Sequence, residues 1–132
     1  MKRTTAAAVL LAALATLTAC DGSEDGSDSS DSKPAAPPYK ITQQEDSGNQ
    51  RTVRVEVESS KDLRAVFDDV ADKLTDEAGY FVEINCQTGG TGKSDNRLAN
   101  GKKAVGTVGA ASTGLADGQT EYEANKGRAC PA

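Results

Sequence analysis

Histidine is missing from all 132 residues. Without it neither a Ser–His–carboxylate triad nor a Cys–His nucleophilic pair can be built. The His/Cys ligand sets that hold zinc are absent for the same reason. Long hydrophobic runs are also lacking. The most apolar stretch, residues 6–19, is broken by threonines and falls short of the ~20 residues that span a bilayer. Positive charge is in deficit, with 15 basic against 20 acidic residues and a formal charge of −5. That balance argues against nucleic acid as a partner and against electrostatic adhesion to anionic lipid. Cysteine occurs only at positions 20, 86 and 130.

What is present begins with a leader. Lys2 and Arg3 precede an apolar core containing Val9, Leu10, Leu11, Leu14 and Leu17, then the small residues Thr18 and Ala19. A positive start, a short apolar core and small residues before a cleavage point make a secretory signal. An ordinary signal with Cys20 as an incidental thiol would fit that outline. Leu17-Thr18-Ala19-Cys20 fits more narrowly, because it resembles the lipobox of bacterial lipoproteins, and the polar tract opening at Asp21 suits that class. The resemblance covers residues 1–20. It implies that residues 1–19 are removed and that Cys20 carries a diacylglyceryl group through a thioether. The expected location is extracytoplasmic, lipid-anchored to the cell membrane. Two or more acyl chains are enough for stable anchoring, where one is marginal.

Residues 20–38 read as the lipidated cysteine followed by a tether. Asp21 to Pro38 is rich in Asp, Ser, Gly and Pro, with no apolar side chain larger than alanine or proline. Such a segment cannot offset its ordering entropy by burial and is expected to be disordered. Its acid spacing matches neither an EF-hand loop nor a Gly-rich calcium repeat.

Residues 39–132 form the domain. Tyr39 to Glu45 alternates loosely as an edge strand, and turn formers at 46–50 lead into Arg51 to Glu58. There Val53, Val55 and Val57 share one face and Arg54, Glu56 and Glu58 the other, the pattern of a half-buried strand. Ser59 as N-cap and Asp62 three residues on suggest a helix start. Leu63, Val66, Phe67, Val70 and Leu74 then make one apolar stripe, and Gly79 suits a helix end. Lys61, Asp68, Asp69, Asp72, Lys73 and Asp76 fall on the opposite, solvated face. Tyr80, Val82, Ile84 and Cys86 then alternate with Phe81, Glu83 and Asn85, so a strand, a helix of about 17 residues and a strand make a βαβ-like unit. After Cys86 a long Gly-rich polar loop is expected from Gln87 to Asn100. A short hairpin around Asn100-Gly101 should follow, then a small-residue strand or irregular segment at 105–115 and a last strand at Thr120–Ala124. The expected class is α+β, one main amphipathic helix packed on a small mixed β-sheet and stapled by a disulfide.

That disulfide is Cys86–Cys130. In a small exported domain two cysteines left over after lipidation pair more often than they stay free. The run Gln87 to Ser94 only partly matches a phosphate-binding P-loop, since Gln87 stands where the first glycine is required. No cofactor, metal or catalytic residue is indicated, and no enzyme activity is expected. The loop remains the candidate partner-binding element, with Lys93, Asp95, Asn96 and Arg97 as its presented groups. The expected function is non-enzymatic binding or scaffolding in the cell envelope. Membrane lipid is held through acylated Cys20, and the further partner is an unidentified envelope protein or small ligand. A secreted-protease inhibitor is the alternative, and a small hydrolase a more distant one.

Overall fold

The computed structural model describes residues 33–91 and 94–132. Seven elements follow one another: β1 (Tyr39–Gln44), β2 (Gln50–Val57), α1 (Leu63–Lys73), β3 (Ala78–Thr91), β4 (Ser94–Val105), α2 (Gly106–Thr113) and β5 (Thr120–Ala124). The strands make one mixed sheet whose spatial order is the chain order, β1-β2-β3-β4-β5. Only β2 and β3 run parallel, joined by α1. The other three pairs are antiparallel.

The alternation seen in the sequence sets the faces. Val53, Val55 and Val57 pair with Val82, Ile84 and Cys86, and all six are buried on one side. Leu63, Val66, Phe67, Val70 and Leu74 of the helical segment close the same core from above. Each such apolar side chain contributes about 1.5–3 kcal/mol of burial free energy against the ordering entropy of the chain. Cys130 comes back on this same side of the sheet to pack against the core, and its bond to Cys86 bridges Cα atoms 5.5 Å apart.

One main amphipathic helix is not what the chain builds, because there are two helices and both are short. α1 has 11 residues. It starts after Asp62, which takes a left-handed conformation and makes no side-chain cap, while Ser59 Oγ accepts from the Lys61 N–H in the turn before it. It ends at Lys73 because Leu74 turns to extended backbone and drops into the core. Lys103 Nζ reaches across from β4 to the Ala71 carbonyl at 2.6 Å, joining the Leu74 N–H that the same carbonyl accepts at 3.1 Å, so the last turn is tied to the sheet. Gly79 therefore lies inside β3 and caps no helix.

The segment expected as a strand or irregular stretch is α2. It has no apolar stripe, being built of Gly, Ala, Ser, Thr and one valine. What docks it is close approach: a Cβ at Gly109 would lie 2.4 Å from the Ala78 carbonyl oxygen. A Cβ at Gly79 would meet Ser112 Cβ at 2.6 Å. Gly79 falls between the core-facing Ala78 and Tyr80, so α2 lies on the sheet face opposite α1, over one end only.

Two further expectations change. There is no long loop from Gln87 to Asn100, because β3 and β4 continue as a hairpin with Cys86 opposite Asn96 and Thr91 opposite Ser94. Nor is Asn100-Gly101 a turn. Gly101 sits in mid-strand opposite Val82, and the glycine is needed because the Phe67 ring occupies the space above it. The last strand, β5, falls where the sequence placed it.

Candidate functional site

The face of the sheet that α1 does not cover is polar beyond the end occupied by α2. Strand alternation brings Arg54, Glu83 and Asn100 into one row across β2, β3 and β4. Glu56, Asn85 and Arg97 form the next row. Thr52, Phe81 and Lys102 form the row on the other side, continued by Glu121 on β5.

The rows are linked by charge. Glu83 accepts from Arg97 at 2.7 Å and from Arg54 at 3.3 Å. Arg54 also lies 3.7 Å from Asp95. Arg97 spreads its fork further, donating from Nε to Asn85 Oδ1 at 2.7 Å and from Nη1 to Asn100 Oδ1 at 2.8 Å. Asn125 closes the set by donating to the Arg97 carbonyl. A guanidinium with its donors pointed at fixed acceptors is a rigid element, unlike a lysine on a flexible stem. Asn85 beside it is only 2% exposed, and its Nδ2 has no partner among the described residues.

Of the four groups expected on a loop, the structure brings two into this network. Arg97 is at its centre and Asp95 at its margin. Asn96 points the other way, as the middle one of three successive strand residues must. It is 6% exposed, and its amide donates to the Thr88 and Ala129 carbonyls, tying the C-terminal segment to the hairpin. Lys93 lies outside the described residues, as does Cys20.

Toward β5 the face dips into a concavity of about 230 Å³ lined by Phe81, Glu83, Asn100, Lys102, Glu121 and Glu123. Two of its carboxylates are engaged, Glu83 with the arginines and Glu121 with Lys102 at 3.1 Å. Glu123 is exposed and has no partner among the described residues. Sequence reasoning identified Arg54, Glu56, Phe81, Glu83 and Asn85 only as the off-core positions of two strands. Which of them meet could be read only from strand order.

A second polar cluster joins β1 to α1. Tyr39 Oη donates to Asp69 at 2.6 Å, and Lys73 Nζ lies 2.7 Å from Tyr39 Oη and 2.9 Å from Asp69. Burial, then the Asp69 carboxylate, raise the Tyr39 phenol above its ordinary value. Hydrogen bonds from Tyr39 and Lys73 hold Asp69 below the usual carboxylate range. Bonds to Tyr39 and Asp69 push Lys73 well up. A lysine held as ammonium beside a phenol held neutral is a structural joint and a poor general base.

No protein-family model matches the chain, and neither does any curated protein or solved structure. Function has to be argued from the chain itself. Among the described residues no group of three or more His, Cys, Asp or Glu is placed to hold a metal ion. None of the described helices is long and apolar enough to cross a membrane.

Proposed function

We propose that the chain is an exported lipoprotein, anchored to the cell membrane through acylated Cys20, whose domain binds a protein of the cell envelope and catalyses no reaction. The observation that carries the binding part is the uncovered sheet face. A fold of this size that leaves one side of its sheet open, and fills it with arginines locked to carboxylates and amides, presents a preorganised polar surface. Its arginines, Glu83, Lys102 and Glu121 are committed to one another, which suits recognition better than proton transfer.

Export draws its support from the leader and from the Cys86–Cys130 bond, since disulfides persist in oxidising compartments. The inhibitor reading keeps one observation in its favour. The β3–β4 hairpin ends in exposed residues from Gln87 to Thr91 and is stapled at its base by Cys86. A protease inhibited stoichiometrically by the intact chain, with the hairpin uncut, would move the assignment there.

The test of the main reading is in situ cross-linking of the anchored protein, with Cys20→Ala as control. Detergent-phase partition should follow Cys20. A discrete cross-linked partner should be present with the anchor and depleted without it. Equal partition of both forms into the aqueous phase would remove the lipoprotein assignment.

A further inference from the structure

The sheet has two edges, and the chain treats them differently. β1 follows Pro37 and Pro38 and carries a bulge between Ile41 and Gln43. Proline and bulges both keep an edge from pairing with another chain. β5 has neither, and no lysine: its Thr-Glu-Tyr-Glu-Ala run pairs with β4 without a register shift.

The pairing shows which backbone groups are spare. Ala104 N–H donates to the Gln119 carbonyl, and Asn125 N–H to the Leu98 carbonyl. Antiparallel alternation then makes Glu121 and Glu123 the residues that exchange bonds with β4. The N–H and C=O groups of Thr120, Tyr122 and Ala124 point outward, and no described group meets them. An open trough runs beside residues 122–126.

Charge selects the occupant. A second copy paired antiparallel about Tyr122 would set each Glu121 against the Glu123 of its mate, and like charges directly opposite destabilise a sheet. The chain's own residues 21–31 hold five acids and no base, so they meet the same repulsion. A segment with lysine or arginine at two alternate positions places opposite charge where Glu121 and Glu123 stand. The residue between its two bases would lie beside Tyr122, whose ring is already packed by Phe67 and Arg64, so a small or apolar side chain fits there.

We infer that the outer edge of β5 is a strand-addition site for an extended basic segment of a partner protein. Main-chain bonds to Thr120, Tyr122 and Ala124 supply affinity, and the two glutamates supply selectivity. The inference rests on the binding reading above and names the class of its partner.

The test titrates the full-length labelled chain in detergent with acetyl-Thr-Lys-Val-Lys-Thr-amide and with the same peptide carrying Glu for Lys. The Lys peptide should shift the amide resonances of residues 120, 122 and 124 and slow their exchange; the Glu peptide should not. Ala124→Pro removes one outward N–H and no bond to β4, a position where edge strands accept proline. It should weaken the Lys peptide by about tenfold. Glu123→Lys, at an exposed residue whose side chain has no partner among the described residues, should abolish the preference between the peptides, because each then meets one like and one opposite charge. Equal responses to both peptides, shifts confined to other strands, or self-association through β5 would each overturn the inference. In the cell, cross-links that persist unchanged in Ala124→Pro would remove strand addition and leave the binding reading standing. No cross-links at all, with the peptide response intact, would remove the envelope partner and leave the edge chemistry.

Discussion

The ring of Phe67 lies over Gly101, so close that a Cβ on residue 101 would fall 2.1 Å from Cε2. Phe67 is fully buried, and its ring centroid is 5.6 Å from that of Tyr122 on the next strand. The ring cannot swing aside. Gly101→Ala should therefore cost about 1–3 kcal/mol, the range for overpacking a closed core. Phe67→Leu in the same chain should recover part of the loss. Denaturant unfolding of the single and double variants measures both, and a stable Gly101→Ala would contradict the packing described here.

The Arg97 guanidinium holds three side chains on the open face, Glu83, Asn85 and Asn100, and of these Glu83 keeps a second arginine, Arg54, when it is removed. Arg97→Ala should destabilise by about 1–3 kcal/mol, because Asn85 loses its only side-chain donor in a buried position. Arg97→Lys should recover little, since one ammonium cannot reproduce a fork aimed at Asn85, Asn100 and Glu83. Equal stability of the Lys variant and the parent would show that charge alone matters.

The Cys86–Cys130 bond closes a separation of 44 residues. Loop-closure entropy assigns roughly 4 kcal/mol to that constraint, with native-state effects able to reduce it. Unfolding of Cys86→Ala/Cys130→Ala beside the oxidised parent is the comparison. An unchanged midpoint would mean that the C-terminal return is held by its hydrogen bonds, those of Asn96 to the Thr88 and Ala129 carbonyls among them, without need of the disulfide.

The joint between Tyr39, Asp69 and Lys73 has a pH signature. Tyr39 has a raised folded value, so its stabilisation is full below the ordinary phenol value of 10.0 and fades as pH climbs through the folded one. The raised Lys73 acts in the same direction. Asp69 is lowered, so its share is full above 3.8 and fades as acid carries the pH through its folded value. Asp69→Asn removes a group that raises the Tyr39 value and should move that titration down. Lys73→Met removes one that lowers it and should move the titration up. Tyrosinate absorbance against pH reads both, with Tyr39→Phe to identify the signal. Shifts of the same sign in the two variants would refute the arrangement.

Some of this was readable residue by residue. The valines of β2 and the Tyr80–Cys86 run announce strands because a period of two needs only neighbours. The Leu63–Leu74 stripe announces a helix because a period near 3.6 does too. Cys86 and Cys130, the two cysteines outside the lipobox-like stretch, form the bond that their number suggests.

Other features carried signals that pointed elsewhere. Asn100-Gly101 has the composition of a tight turn, yet it continues β4 because Phe67, 34 positions away, needs the room. Gln87 to Arg97 has the composition of a loop, and pairing with the opposite strand extends it into a hairpin. Asp95, Asn96 and Arg97 look like one presented group until the strand turns the middle one inward. α2 has no stripe to find, since helices that dock by close backbone approach are written in small residues.

By itself, then, the sequence determined the elements whose hydrophobic period is local, the cysteine pair and the leader's resemblance to a lipobox. Tertiary structure alone decided which charges meet on the open face, which glycines are space for a ring or a helix, and which sheet edge is left bare. The physical reason is the same in each case. A periodicity is a property of a segment, whereas a contact across the sheet depends on strand order and register, and these are settled only when the whole core closes.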